Sequence, residues 1–220
     1  MSSAPLLLSF EIATLATLVA TIVGVALAAA LADSRTPARD FVDALVAAPM
    51  VLPPTVLGYY LLTVLGRRSA VGAAFERVTG SPIVFTRGAA VVAATLAALP
   101  FIIKAARAAI EDVDPRLVAA AESLGAGRLR VLWTIVLPLA LRQILAGVAL
   151  GFARALGDFG VTLMIAGNLE GVTRTASLAI YDAVQAGNEG DAGAMSAVLA
   201  AIAITALYGV NKLSQKVRRA

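Results

Sequence analysis

Long apolar runs separated by short charged segments set the pattern of this chain. Residues 12–32, 44–66, 88–103 and 192–211 contain no Asp, Glu, Lys or Arg. An α-helix needs about 20 apolar residues to cross the hydrocarbon core of a bilayer. Three of the runs have that length, and Arg87 and Lys104 can extend the shorter one by snorkelling. A further apolar stretch is interrupted by Arg142, Arg154 and Asp158. The pattern predicts an all-α integral membrane protein with about five spans, near 8–31, 41–65, 88–107, 139–166 and 192–210. They form one membrane domain over 8–213, followed by a basic tail at 214–220.

Within the spans, the local chemistry is uneven. Thr14, Thr17 and Thr21 can bond back to carbonyls of their own helix. The second span holds Pro49, Pro53 and Pro54, so it is kinked or broken, and the freed carbonyls must meet protein or water. Two readings of Pro53 and Pro54 stand: a packing kink, or backbone lining a translocation path. Segment 67–87 reads as an arginine-bearing loop. Segment 167–191 reads as a net acidic loop, with a short surface helix near 178–185.

Composition sharpens this picture. The chain of 220 residues is 60% hydrophobic and 15% charged, beyond the apolar share of a soluble domain. The net charge of +4 is read as topology rather than as a nucleic-acid footprint, because the basic residues lie in loops beside the spans. With segment 114–138 placed in the cytoplasm, twelve Lys and Arg fall inside and five outside. That bias puts the N-terminus outside and the C-terminus inside. Splitting the fourth span at Gly157 and Asp158 would give six spans and leave the basic tail outside, against the bias. The first eleven residues lack the basic start of a signal peptide, so the first span reads as retained.

The chain has no cysteine and no histidine. Thiol chemistry, Cys/His metal sites and histidine bases are excluded. No phosphate-binding G-x-x-x-x-G-K-[ST] loop is present, so ATP hydrolysis by that route is excluded too. Asp158 and Asn168 offer two oxygens, too few for a metal site. No cofactor and no catalytic residue is expected.

Segment 114–138, DPRLVAAAESLGAGRLRVLWTIVLP, is a polar insert between spans. Asp114 suits a helix N-cap and Pro115 the first helical position. Leu117, Ala120, Ala121 and Leu124 follow at helical spacing, and Gly125 suits a left-handed stop. A short helix results, shaped to dock a cytoplasmic partner. Arg154 and Asp158, at i and i+4, share a helix face within a span. They read either as an ion pair that holds structure or as a charged element of a pathway. Gly147 and Gly151 form a small-xxx-small pattern, which predicts close helix packing, within the chain or against a second copy. Tyr59, Tyr60 and Trp133 are candidate interface anchors.

Segment 114–138 also resembles the EAA coupling loop of ABC importer permeases. Ala119-Ala120-Ala121, Gly125, Ile135, Leu137 and Pro138 keep that motif's intervals, with Ala119 where the family usually has Glu. The nearest carboxylate is Glu122. Stretches 48–62, 124–141 and 152–168 resemble the molybdate-type oxyanion permeases of that family. Arg154-Ala-Leu-Gly-Asp158 is similar to their Arg-Ala-x-Gly-Glu segment. The resemblance implies the type I ABC importer permease fold with a cytoplasmic coupling helix. It implies ATPase coupling through Ala120, Ala121, Glu122, Ser123, Leu124, Gly125 and Ala126. A homodimer, a pair of cytoplasmic ATPase subunits and an extracytoplasmic oxyanion-binding protein complete the expected assembly in the inner membrane. Molybdate is the expected substrate, with tungstate, sulfate and thiosulfate as alternatives. A gradient-driven transporter without an ATPase is the rival from another class, and would need a membrane carboxylate such as Asp158 as its ion site.

Overall fold

In the computed structural model, residues 3–32 and 38–216 are described. Arg35 of the first linker and the tail residues 217–220 lie outside them. The helices are α1 (Ala4–Ala32), α2 (Ala38–Val51), α3 (Pro54–Leu65), α4 (Ala70–Thr79), α5 (Arg87–Glu111), α6 (Pro115–Ser123), α7 (Arg128–Val131), α8 (Leu137–Leu156), α9 (Gly160–Ala166), α10 (Ala176–Gln185) and α11 (Glu189–Lys216). Among the described residues, α1, α5, the stretch Arg128–Leu156 and Glu189–Gly209 are each long and apolar enough to cross a membrane. Helices α2 and α3 together make a fifth candidate, bent by 113°.

Small side chains set the core. Ala13, Ala16 and Ala20 of α1 meet Ala89, Ala90, Ala93, Ala94 and Ala98 of α5, all fully or almost fully buried. Further along, Ala28 meets Ala106, Ala109, Ala140 and Ile144. With lipid outside, helices gain little from burying large apolar groups, so close backbone approach through small residues supplies the packing. Gly147 and Gly151 serve this purpose within the chain. A Cβ at 147 would collide with Ala105, and one at 151 would lie 2.8 Å from Ile102. The small-xxx-small pattern is therefore spent on the α8–α5 contact and not on a second copy.

The order of contacts gives the bundle two distinct ends. One end carries the start of α1, the start of α5, and segment 167–188. There Arg87 donates to the carbonyls of Gly171 and Val172, and the Ala176 amide donates to Ser9 Oγ. The other end carries the close of α1 and α5, the start of α2, and α6. Arg107 of α5 pairs there with Asp43 of α2 and, at 2.9 Å, with Glu111.

Several elements differ from the sequence expectation. The fourth span begins at Arg128 rather than 139, because α7 runs through a π-helical turn, Leu132–Val136, into α8. Pro138 explains the turn: its ring and missing N–H disturb the i−4 bond, and the Leu137 amide reaches Leu132 instead. That span stops at Leu156, and residues 160–166 form the separate helix α9. Segment 67–87 is not a plain loop, since Ser69 caps α4 by accepting the Gly72 amide at 2.8 Å. Helix α10 is more than a surface helix, because Leu178 is fully buried. The last span begins at Glu189, and Asn188 Oδ1 accepts the Asp191 amide at that helix start.

Candidate functional site

Past the end of α5 the chain leaves the bundle to form α6. Asp114 Oδ1 accepts the Arg116 amide at 2.9 Å, and Pro115 takes the first helical position. The helix closes in a Schellman arrangement: the Ala126 amide donates to the Ala121 carbonyl at 3.1 Å, and the Gly125 amide to Glu122 at 2.9 Å. This geometry needs a left-handed residue at 125, and Gly125 has φ of 84°. No residue of Pro115–Ser123 is buried. Leu117, Ala120 and Leu124, which helical spacing places on one face, are all exposed, Leu124 at 89%, while Ala121 is half-buried. Leu129, just beyond, is exposed as well. Glu122 and Ser123 are exposed, and Ser123 Oγ donates to the Ala119 carbonyl. Water does not favour a knob with leucines outward.

A second polar feature lies where two spans break. Helix α2 ends at Val51 and α3 starts at Pro54, with Pro53 in extended conformation between them. Opposite, α8 ends at Leu156 and α9 starts at Gly160. The two breaks touch: a Cβ at 160 would lie 2.6 Å from Pro54 Cβ. Discontinuous helices in a membrane protein leave helix ends that other groups must satisfy.

Asp158 does this at the start of α9. Its Oδ2 accepts the Thr162 amide at 3.0 Å and the Thr162 hydroxyl at 2.8 Å. Its Oδ1 accepts from Arg154 Nη1 at 3.3 Å. The carboxylate side chain is 2% exposed, whereas the Arg154 side chain is 34% exposed. Asp158 is thus fully committed to protein groups, while Arg154 keeps donors that no described residue takes.

Sequence reasoning missed Thr162, whose place as third residue of α9 shows only once the break is known. It also missed the Arg107–Asp43 pair, which joins residues distant in sequence. Near the opposite end, Asn168 Nδ2 donates to both oxygens of Asp182 at 2.8 Å, and Arg174 Nε donates to Asn168 Oδ1 at 3.1 Å. That network braces segment 167–188. Tyr59, Tyr60 and Trp133 are exposed. Among the described residues no group of three or more Asp and Glu is placed to hold a metal ion.

Comparison with known proteins fits this architecture. Residues 13–215 match the family described as binding-protein-dependent transport system inner membrane component. The chain is 39% identical over 202 residues to the molybdenum transport system permease protein ModB of Escherichia coli, covering 91% of this chain and 88% of that one. It is 37% identical over 208 residues to the putative molybdenum transport system permease protein YvgM of Bacillus subtilis, covering 94% and 92%. Among solved structures, a chain of the MetNI methionine ABC transporter in an inward-facing conformation superposes with a TM-score of 0.77 at 16% identity, over 97% of this chain and 94% of that one. A chain of a bacterial ABC transporter importing alginate superposes with a TM-score of 0.79 at 17% identity, over 99% and 81%.

Proposed function

The chain belongs to the inner membrane components of binding-protein-dependent transport systems, and on that premise we propose that it is the permease subunit of an ATP-driven importer of molybdate. The observation that carries the reading is α6. It is a short, well-capped helix with outward-facing leucines, set on the end of the bundle where α5 and the Arg128–Leu156 span meet. Names of the relatives support molybdate as the oxyanion.

The permease works as a homodimer, with the path between its two copies. A separate pair of ATPase subunits seats on α6 through Ala120, Ala121, Glu122, Ser123, Leu124, Gly125 and Ala126, and this chain hydrolyses no ATP itself. Glu122 provides the acidic contact that Ala119 does not. Closure of the ATPase pair moves α6, and with it α5 and the spans whose breaks meet at Pro53, Pro54 and Asp158. Arg154 lends its remaining donors to the passing oxyanion, and Asp158 holds the guanidinium in place. A single paired arginine suits transit, because a site that binds too tightly does not release. The start of α1 and segment 167–188 face the extracytoplasmic binding protein. The end of α11 lies in the cytoplasm with α6, consistent with an odd number of crossings and with the basic residues near the tail.

The test is uptake of labelled oxyanions in a strain lacking its own molybdate transporter, with the chain expressed beside its ATPase and binding protein. Molybdate should accumulate in a strictly ATP-dependent way, and sulfate should not compete at equal concentration. Uptake that persists with an ATPase unable to hydrolyse ATP would exclude the reading in favour of a gradient-driven carrier.

A further inference from the structure

Helix α4 follows the second half of the broken span after only four residues, 66–69. Its place is fixed by Gly72, where any Cβ would run into the carbonyls of Leu65 and Gly66, so α4 folds directly onto the end of α3. With that side pinned, Val71, Phe75 and Val78 line an outer stripe at i, i+4 and i+7. All three are exposed, Val78 at 86%. Its own charged residues are Glu76 and Arg77, and the turn before it adds Arg67 and Arg68. Arg67 pairs with Glu76 at 2.9 Å, while Arg68 and Arg77 are exposed and make no ion pair among the described residues. Between the end of α3 and the turns that flank α4 opens a groove of about 710 Å³, lined by Leu62, Val84 and Phe85 together with Arg67 and Arg68.

We propose that α4 is an interfacial helix: Val71, Phe75 and Val78 dip into the boundary between acyl chains and headgroups, and Arg68 and Arg77 contact anionic phospholipid headgroups. The occupant is lipid rather than a protein for three reasons. Continuity with α3 places α4 at the level where a membrane span ends. The stripe is one side chain wide, fit for immersion rather than for an interface of standard size. The neighbouring groove joins apolar walls to guanidinium groups, which matches the two-part chemistry of a phospholipid. Arginines at a membrane boundary attract anionic headgroups over about a Debye length. Such a helix would hold α3 and the α2–α3 break at a set depth while other spans move.

The inference rests on reading α3 as half of a membrane span, and a separate label tests that. The chain lacks cysteine, so nitroxide labels can be placed singly at Val78→Cys, Phe75→Cys, Ser81→Cys and, on α3, Val64→Cys. The permease complex is reconstituted into phosphatidylcholine vesicles with and without phosphatidylglycerol. Collision with oxygen and with a water-soluble nickel chelate is then measured. Labels at 75 and 78 should collide with oxygen several-fold more than with nickel, and the label at 81 should show the reverse. Phosphatidylglycerol should deepen the protection at 78, and Arg68→Gln with Arg77→Gln should erase that gain. Equal nickel access at 78 and 81 overturns the proposal, as does protection that appears only when binding protein is added or that persists without lipid. No effect of phosphatidylglycerol on the unchanged helix overturns the headgroup contact. Nickel access at 64 would refute the α3 span and the proposal with it, whereas failed uptake alone leaves these labels unaffected.

Discussion

Replacing Gly125 probes the proposed docking role of α6 separately from the rest of the fold. At φ of 84° a residue with Cβ pays about 1–2 kcal/mol. Sterics add nothing, because no heavy atom lies within 4 Å of where the Cβ would stand. The two closing bonds, from Ala126 and Gly125, are at an exposed site, so water replaces them at small cost if they open. Since no residue of α6 is buried, the penalty is released by local loosening of its end rather than by unfolding the bundle. A penalty of about 1–2 kcal/mol lowers the ratio of closed to loosened helix end roughly 5- to 30-fold. Gly125→Ala should therefore leave membrane abundance and the melting midpoint unchanged while cutting substrate-stimulated ATPase activity by up to that factor. Asn tolerates the left-handed region better, so Gly125→Asn should lose less. Gly125→Asp should lose most, because docking would bury a new charge. The assay is ATP hydrolysis by the reconstituted complex, with and without liganded binding protein. Full stimulation in Gly125→Asp would refute α6 as the coupling element, and Gly125→Asn falling below Gly125→Ala would refute the backbone argument.

Other perturbations probe the remaining features. Arg154→Ala should abolish uptake while the complex still assembles, and Arg154→Lys should retain part of it, because a point charge replaces a fork of donors. Normal transport by the double Arg154→Ala, Asp158→Ala variant would show that the pair only holds structure. Asp158→Ala alone removes the bonds from Thr162 and Arg154 and should destabilise the permease by about 1–3 kcal/mol, read as a lower melting midpoint in detergent. Gly147→Leu should drive α8 off α5 at Ala105 and cost about 1–3 kcal/mol or more, seen as loss of folded permease rather than as loss of a dimer. For orientation, Asn188→Cys should react with an impermeant thiol reagent in intact cells and Ser214→Cys should not; labelling at both positions refutes the opposed ends.

Local and one-dimensional features were legible in the chain. The apolar runs specify spans because lipid offers backbone groups no partner, which leaves a helix of sufficient length as the answer. Asp114, Pro115 and Gly125 mark the ends of α6 because capping chemistry acts within a few residues. What only the packed bundle decides depends on partners distant in sequence. The 113° turn between α2 and α3 follows from prolines, yet its meeting with Gly160 needs two spans side by side. Asp158 looks like half of an ion pair in the sequence, and becomes the acceptor for the Thr162 amide and hydroxyl only once α8 stops at Leu156 and Thr162 comes within reach. Gly147 and Gly151 announce close packing without naming the neighbour, and the fold chooses α5. Small residues and charges carry little information about their contacts on their own, since many neighbours satisfy them; tertiary structure selects one.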